Sequence, residues 1–129
     1  MQEAQILPAV AASVYGDNNT FYRCGFIGYQ DTLFDGSRRH YYKECYIQGE
    51  VDFIFSNAHS FYEKCTINAT ARDINLPGFV TAHGRSKDTE PDGGFVFNGG
   101  EIVGTGKVNL GRAWGLWLEL FFMELILDH

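Results

Sequence analysis

The sequence predicts an all-β protein built as a parallel β-helix, and three observations carry that expectation. Glycine (15 residues) and aromatic residues (16%) are abundant while long helical apolar periods are scarce, a balance that favours strands. A short unit recurs, its cysteines Cys24, Cys45 and Cys65 lying 21 and then 20 residues apart. Inside each copy the later apolar positions are two apart, the period of a strand.

The first copy is Phe21-Tyr22-Arg23-Cys24-Gly25-Phe26-Ile27-Gly28. The second is Tyr42-Lys43-Glu44-Cys45-Tyr46-Ile47-Gln48-Gly49, and the third Tyr62-Glu63-Lys64-Cys65-Thr66-Ile67-Asn68-Ala69. A degenerate fourth reads Phe97-Asn98-Gly99-Gly100-Glu101-Ile102-Val103-Gly104. Each copy is too short to bury its apolar face alone, so successive copies must stack as a solenoid. Leucine-rich repeats have a similar length but need several leucines per unit, which these copies lack. The cysteines then form an inward ladder of buried free thiols. Three is an odd number, so a full disulfide framework is excluded, and without CxxC pairs a structural zinc site is not expected. His40, His59, His83 and His129 form no metal-binding pattern; each is read as a surface or core residue.

Composition bounds the rest. A chain of 129 residues with 45% apolar and 20% charged residues suits one folded domain. The net charge of −6 argues against nucleic acid, whose binders present basic surfaces. No stretch reaches the roughly 18 apolar residues of a membrane helix; Glu119 and Glu124 interrupt the most apolar one, Leu116–Leu127. Met1–Val10 has neither a basic n-region nor a long apolar run, so no signal peptide is read there. Two glycosylation sequons, at Asn18 and Asn68, are compatible with secretion. Glu44, Glu50 and Glu63 are expected on a solvated face.

The repeat also makes a geometric statement. Asp31 and Asp52 each lie seven residues after a repeat cysteine, so they hold the same place on consecutive coils. Neighbouring strands are about 4.8 Å apart, so the two carboxylates are expected near that separation. Arg72, seven after Cys65, can continue the column. Two stacked carboxylates repel, which favours one protonated and one ionised group, the division of labour between an acid and a nucleophile or base. Spacing alone slightly favours two aspartates at a coil corner, where Asp is common.

The neighbouring residues add a family resemblance. Gly28-Tyr29-Gln30-Asp31-Thr32-Leu33, Val51-Asp52-Phe53-Ile54-Phe55 and Leu110-Gly111-Arg112-Ala113-Trp114 together resemble the signatures of the plant pectin methylesterases, or pectinesterases. Gly16-Asp17, Phe21–Cys24, Arg39–Tyr42 and Thr81–Arg85 fit the same context, so the resemblance runs from about Pro8 to Trp114. It implies a right-handed parallel β-helix and the removal of methyl groups from pectin as methanol. Asp52 would be the nucleophile and Asp31 the general acid, then base. Gln30 would donate to the oxyanion, and Arg112 would hold Asp52 ionised. Trp114, Phe55 and Phe34 would line the sugar groove; Phe34 and Phe55 also read as core residues. No metal and no organic cofactor are implied. Methyl-esterified polygalacturonate would be the partner, with a proteinaceous pectinesterase inhibitor as a second, and the location would be the cell wall.

The chemistry is coherent. A carboxylate can attack an ester and form an acyl-enzyme anhydride. A positioned acid assists the poor methoxide leaving group by about 10²–10⁴-fold. An amide oxyanion donor supplies about 10²–10³-fold more.

The sequence departs from the family in places. Pro8 stands where a second oxyanion glutamine is usual, and proline offers no side-chain donor. Ser56 replaces a glycine, His83 a glutamine and Glu119 an arginine. Family catalytic domains are longer, so 1–129 reads as one partial domain on a truncated β-helix, with 115–129 as a divergent apolar tail that could cap the solenoid. Two alternatives stand beside the esterase: a catalytically inactive, pectin-binding homologue, and a β-helix glycosidase with carboxylates about 5 Å apart. The Asn-Thr-Asp and Gly-His-Gly motifs expected of polygalacturonases are absent.

Overall fold

The computed structural model describes residues 10–36, 38–56, 58–70, 78–83, 94–105, 108–113, 120–123 and 126–127, with backbone alone at 83, 112–113, 120–123 and 126–127. Its strands come in threes, one triplet per coil. Coil one holds β1 (Ala12–Val14), β2 (Asn19–Tyr22) and β3 (Gly25–Ile27). Coil two holds β4 (Leu33–Asp35), β5 (Arg39–Lys43) and β6 (Tyr46–Gly49). Coil three holds β7 (Val51–Ser56), β8 (His59–Glu63) and β9 (Thr66–Thr70). Coil four holds β10 (Gly78–His83), β11 (Gly94–Asn98) and β12 (Glu101–Thr105). Coil five holds β13 (Val108–Ala113), β14 (Leu120–Met123) and β15 (Ile126–Leu127).

Every third strand pairs. The first sheet runs β1-β4-β7-β10-β13, the second β2-β5-β8-β11-β14 and the third β3-β6-β9-β12-β15. Every ladder is parallel. Parallel strands joined by crossovers wind right-handed, which gives a right-handed parallel β-helix.

The repeat occupies the second sheet, the corner after it and the third sheet. Phe21, Tyr42, Tyr62 and Phe97 share one register row. Their rings stack at centroid distances of 5.2, 4.6 and 4.6 Å. Such pairs contribute about 0.5–1.5 kcal/mol each beyond area burial. Five residues further on, Phe26, Ile47, Ile67 and Ile102 form the buried row of the third sheet.

Between these rows the chain turns through a left-handed residue. Arg23, Glu44 and Lys64 have φ of 54°, 52° and 52°. The cysteines follow, all free, with Cys45 and Cys65 buried. Their thiols donate to the Phe21 and Tyr42 carbonyls of the coil above, at 3.5 Å each. Burial pushes the Cys65 thiol up to about 12 and raises that of Cys45, so both are inert. Gly100 takes this rank on coil four; a Cβ there would lie 2.2 Å from the Cys65 carbonyl oxygen.

One expectation is corrected. Glu50 is not on a solvated face: it is 7% exposed. Its N–H donates to the Tyr29 carbonyl at 2.6 Å and its carbonyl accepts from the Phe79 N–H at 3.2 Å, so corners on both sides close over it. β14 and β15 pair with β11 and β12, setting Phe122 beside Phe97 and Leu127 beside Ile102. The tail keeps the repeat's five-residue step and adds a coil. Arg72 and Pro8 lie outside the described residues.

Candidate active site

The site forms where the third sheet turns into the first. Gly28 and Gly49 end that approach on coils one and two. Thr32 is fully buried and folds back over Gly28, its hydroxyl donating to the Gln48 carbonyl at 3.1 Å. A Cβ on Gly28 would lie 2.7 Å from that hydroxyl oxygen. Phe53 does the same at Gly49, where a Cβ would lie 2.2 Å from the Phe53 Cβ. At each of these turns an aspartate, Asp31 or Asp52, immediately precedes the residue that folds back.

Asp31 and Asp52 share an unusual backbone, with φ of 55° and 48°. Non-glycine residues in this region are uncommon and cluster at functional sites, although Asp is among the better tolerated. The two positions are in register. Gln30 bridges to Val51, the Asp31 N–H donates to the Val51 carbonyl at 3.2 Å, and beyond them Leu33 pairs with Ile54 and Phe34 with Phe55. Asp31 therefore sits one strand spacing, about 4.8 Å, from Asp52 along the helix axis.

A bulge separates their surroundings. Val51 pairs with Phe79 and Ile54 with Thr81, so Asp52 and Phe53 together oppose the single Val80. Bulges re-aim side chains and occur beside active sites. Strand alternation is lost here, and Asp52, Phe53 and Ile54 are all buried. Asp52 is 5% exposed, whereas Asp31 and Gln30 are half-buried. Asp52 is thus the more enclosed of the two aspartates.

The outer face of the first sheet carries a second row. Ser13, Phe34, Phe55, Ala82 and Arg112 occupy one register across β1, β4, β7, β10 and β13. Phe34 and Phe55 are half-buried and meet edge to face at 5.2 Å. They are thus neither core nor fully exposed. Arg112, described by its backbone alone, pairs with Ala82 in this register; Trp114 lies outside the described residues. Tyr15, which the sequence analysis did not single out, continues the row beside Phe34. Its parity with Ser13, opposite that of the buried Val14, is the signal that places it outward.

A second polar cluster, also unassigned from sequence, lies on the inner face. The buried Asp35 carboxylate accepts from His40 Nδ1 at 2.5 Å, Tyr42 at 3.0 Å and Tyr62 at 2.7 Å. His40 Nε2 faces the Gly16 carbonyl at 2.8 Å. With acceptors at both nitrogens, the ring is held as imidazolium. Burial opposes that charge, but the bond and charge of Asp35 and the Gly16 carbonyl outweigh it, and the His40 pKa is raised. Strand alternation was the available clue, since His40 lies two before the inward Tyr42. Asp35 and Phe34 are successive residues of β4 on opposite faces, so this cluster braces the sheet beneath the aromatic row.

Comparison with known proteins bears on this arrangement. The family model described as Pectinesterase matches residues 3–129. Pectinesterase QRT1 of Arabidopsis thaliana is 51% identical over 107 residues, which are 83% of this chain and 27% of that protein. A pectin methylesterase from carrot superposes with a TM-score of 0.83 at 34% identity, over 90% of this chain and 39% of that one. A pectin methylesterase solved in complex with a hexasaccharide matches with a TM-score of 0.72 at 28% identity, over 82% and 34%. The chain spans well under half the length of these relatives.

Proposed function

The chain belongs to the pectinesterase family, and from that premise we propose that it removes methyl groups from methyl-esterified homogalacturonan, releasing methanol. The observation that carries this reading is the in-register pair Asp31 and Asp52, on matching left-handed backbone, with Asp52 buried and Asp31 half-buried. The Asp52 carboxylate attacks the ester carbonyl carbon and the carbonyl electrons move to oxygen. Gln30 donates to that oxyanion. Collapse breaks the bond to methoxide, Asp31 supplies the proton, and methanol leaves from an acyl-Asp52 anhydride. Asp31, now ionised, takes a proton from water; the hydroxide attacks the anhydride and restores both carboxyl groups. Arg112 holds Asp52 through a charge-assisted pair, and the groove beside the pair is lined by Phe34, Phe55 and Trp114. The residues named need neither metal nor cofactor. The proposed setting is the plant cell wall, with a proteinaceous pectinesterase inhibitor as a second partner.

Methanol release from highly methylated pectin tests the reading, with wild type beside Asp52→Ala and Asp31→Ala. Release in wild type and at least about a 10²-fold loss in each variant is expected. Undiminished release from Asp52→Ala would remove the nucleophile assignment. New reducing ends in place of methanol would make the chain a glycosidase, and no release from folded wild type would make it an inactive homologue.

A further inference from the structure

We infer that Tyr15 is a sugar-binding platform, holding a galacturonate ring of the polysaccharide away from the ester under attack. The inference rests on the methylesterase reading and extends its groove by one coil. Tyr15 is 65% exposed. Its ring centroid lies 5.2 Å from that of Phe34, which lies 5.2 Å from that of Phe55. Three rings from coils one, two and three thus form a track parallel to the helix axis, the direction in which Asp31 and Asp52 are stacked.

The ring has a built seat. Gly36 lies beneath the Tyr15–Phe34 pair, and its N–H donates to the Val14 carbonyl at 2.9 Å. A Cβ on Gly36 would come within 3.1 Å of the Phe34 ring, 3.2 Å of the Tyr15 ring and 2.6 Å of the Val14 oxygen. Both rings therefore lie against a position that only hydrogen can fill. The Asn19 side-chain amide donates to the Tyr15 carbonyl and ties down the backbone on the far side. A flat, held, exposed ring costs little ordering when a ligand arrives. The C–H face of a pyranose is apolar and matches an aromatic face, while the phenol hydroxyl remains available to sugar hydroxyls. A linear chain of pyranoses fits this track better than a compact ligand.

The test compares Tyr15→Ala, Tyr15→Leu and Tyr15→Phe with wild type. Two readouts are needed: KM and kcat for methanol release from methylated pectin, and calorimetric binding of a de-esterified hexagalacturonate, which has no ester to cleave. Tyr15→Ala and Tyr15→Leu are expected to raise KM and weaken binding by about three- to tenfold, the range of one aromatic contact. kcat and melting temperature stay unchanged, and Tyr15→Phe retains most of the binding. Unchanged KM and binding in Tyr15→Ala, with wild type active, would overturn the platform and leave the esterase reading standing. Wild-type behaviour of Tyr15→Leu would overturn it too, by showing that the contact with Phe34 alone matters. A wild type that neither releases methanol nor binds the hexagalacturonate would overturn both.

Discussion

Single residues carry the site through what they exclude as much as what they offer. Gly49 is required because Phe53 occupies its Cβ position. Gly49→Ala is expected to cost about 1–3 kcal/mol, as overpacking does, and to lower activity further by shifting Asp52. Denaturant unfolding beside a kcat measurement checks both. Buried ionic groups set a different constraint. Asp35 faces His40, Tyr42 and Tyr62, and His40 also faces the Gly16 carbonyl and feels the charge of Asp17, itself paired with Arg39. His40 binds its proton more tightly folded than unfolded. Its contribution is therefore complete below the unfolded value of about 6.5 and fades as pH rises through the raised folded value. Melting of wild type and His40→Gln from pH 5.5 to 8.5 should show a gap that narrows with rising pH; a constant gap would contradict the imidazolium.

At the scale of elements, the aromatic ladder of the second sheet and the bulge in β7 do separate work. Tyr62 stacks between Tyr42 and Phe97 and also donates to Asp35 across a coil boundary. Tyr62→Phe keeps the stack and removes the donor, with an expected loss of about 1.5–3 kcal/mol, the range for a hydrogen bond to a charged group. Tyr62→Ala removes both and should cost about 3–5 kcal/mol. Thermal unfolding of the two variants separates stacking from hydrogen bonding. The bulge sets the place of the proposed nucleophile. By setting Asp52 and Phe53 against one residue of β10, it buries the aspartate at the strand start while Phe55 stays at the outer face.

The whole molecule is quasi-one-dimensional, each coil pairing with its neighbours, so a local defect weakens the coils beside it first. The proposed groove runs along this stack. Its electrostatics belong to the same scale. The protein carries −6 and its proposed substrate carries carboxylates wherever methyl groups have been removed. Added salt should therefore raise the rate on partly de-esterified pectin more than on fully methylated pectin. Initial methanol rates across an ionic-strength series check this, and parallel curves would count against it.

How much of this was legible in the sequence follows from the length scale of each feature. The repeat determined the solenoid, the aromatic and aliphatic ladders, the free thiols and the shared place of Asp31 and Asp52, because a stacked repeat converts sequence period directly into neighbourhood. The fifth coil keeps the five-residue step from Phe122 to Leu127 but not the rest of the motif. Tertiary structure alone decided the burial of Glu50, the bulge at Asp52, the Asp35–His40 pair and the seat of Tyr15. Each depends on contacts between coils whose register shifts at one residue, or on a side chain filling the space a glycine leaves. A period cannot encode those, because they are departures from the period.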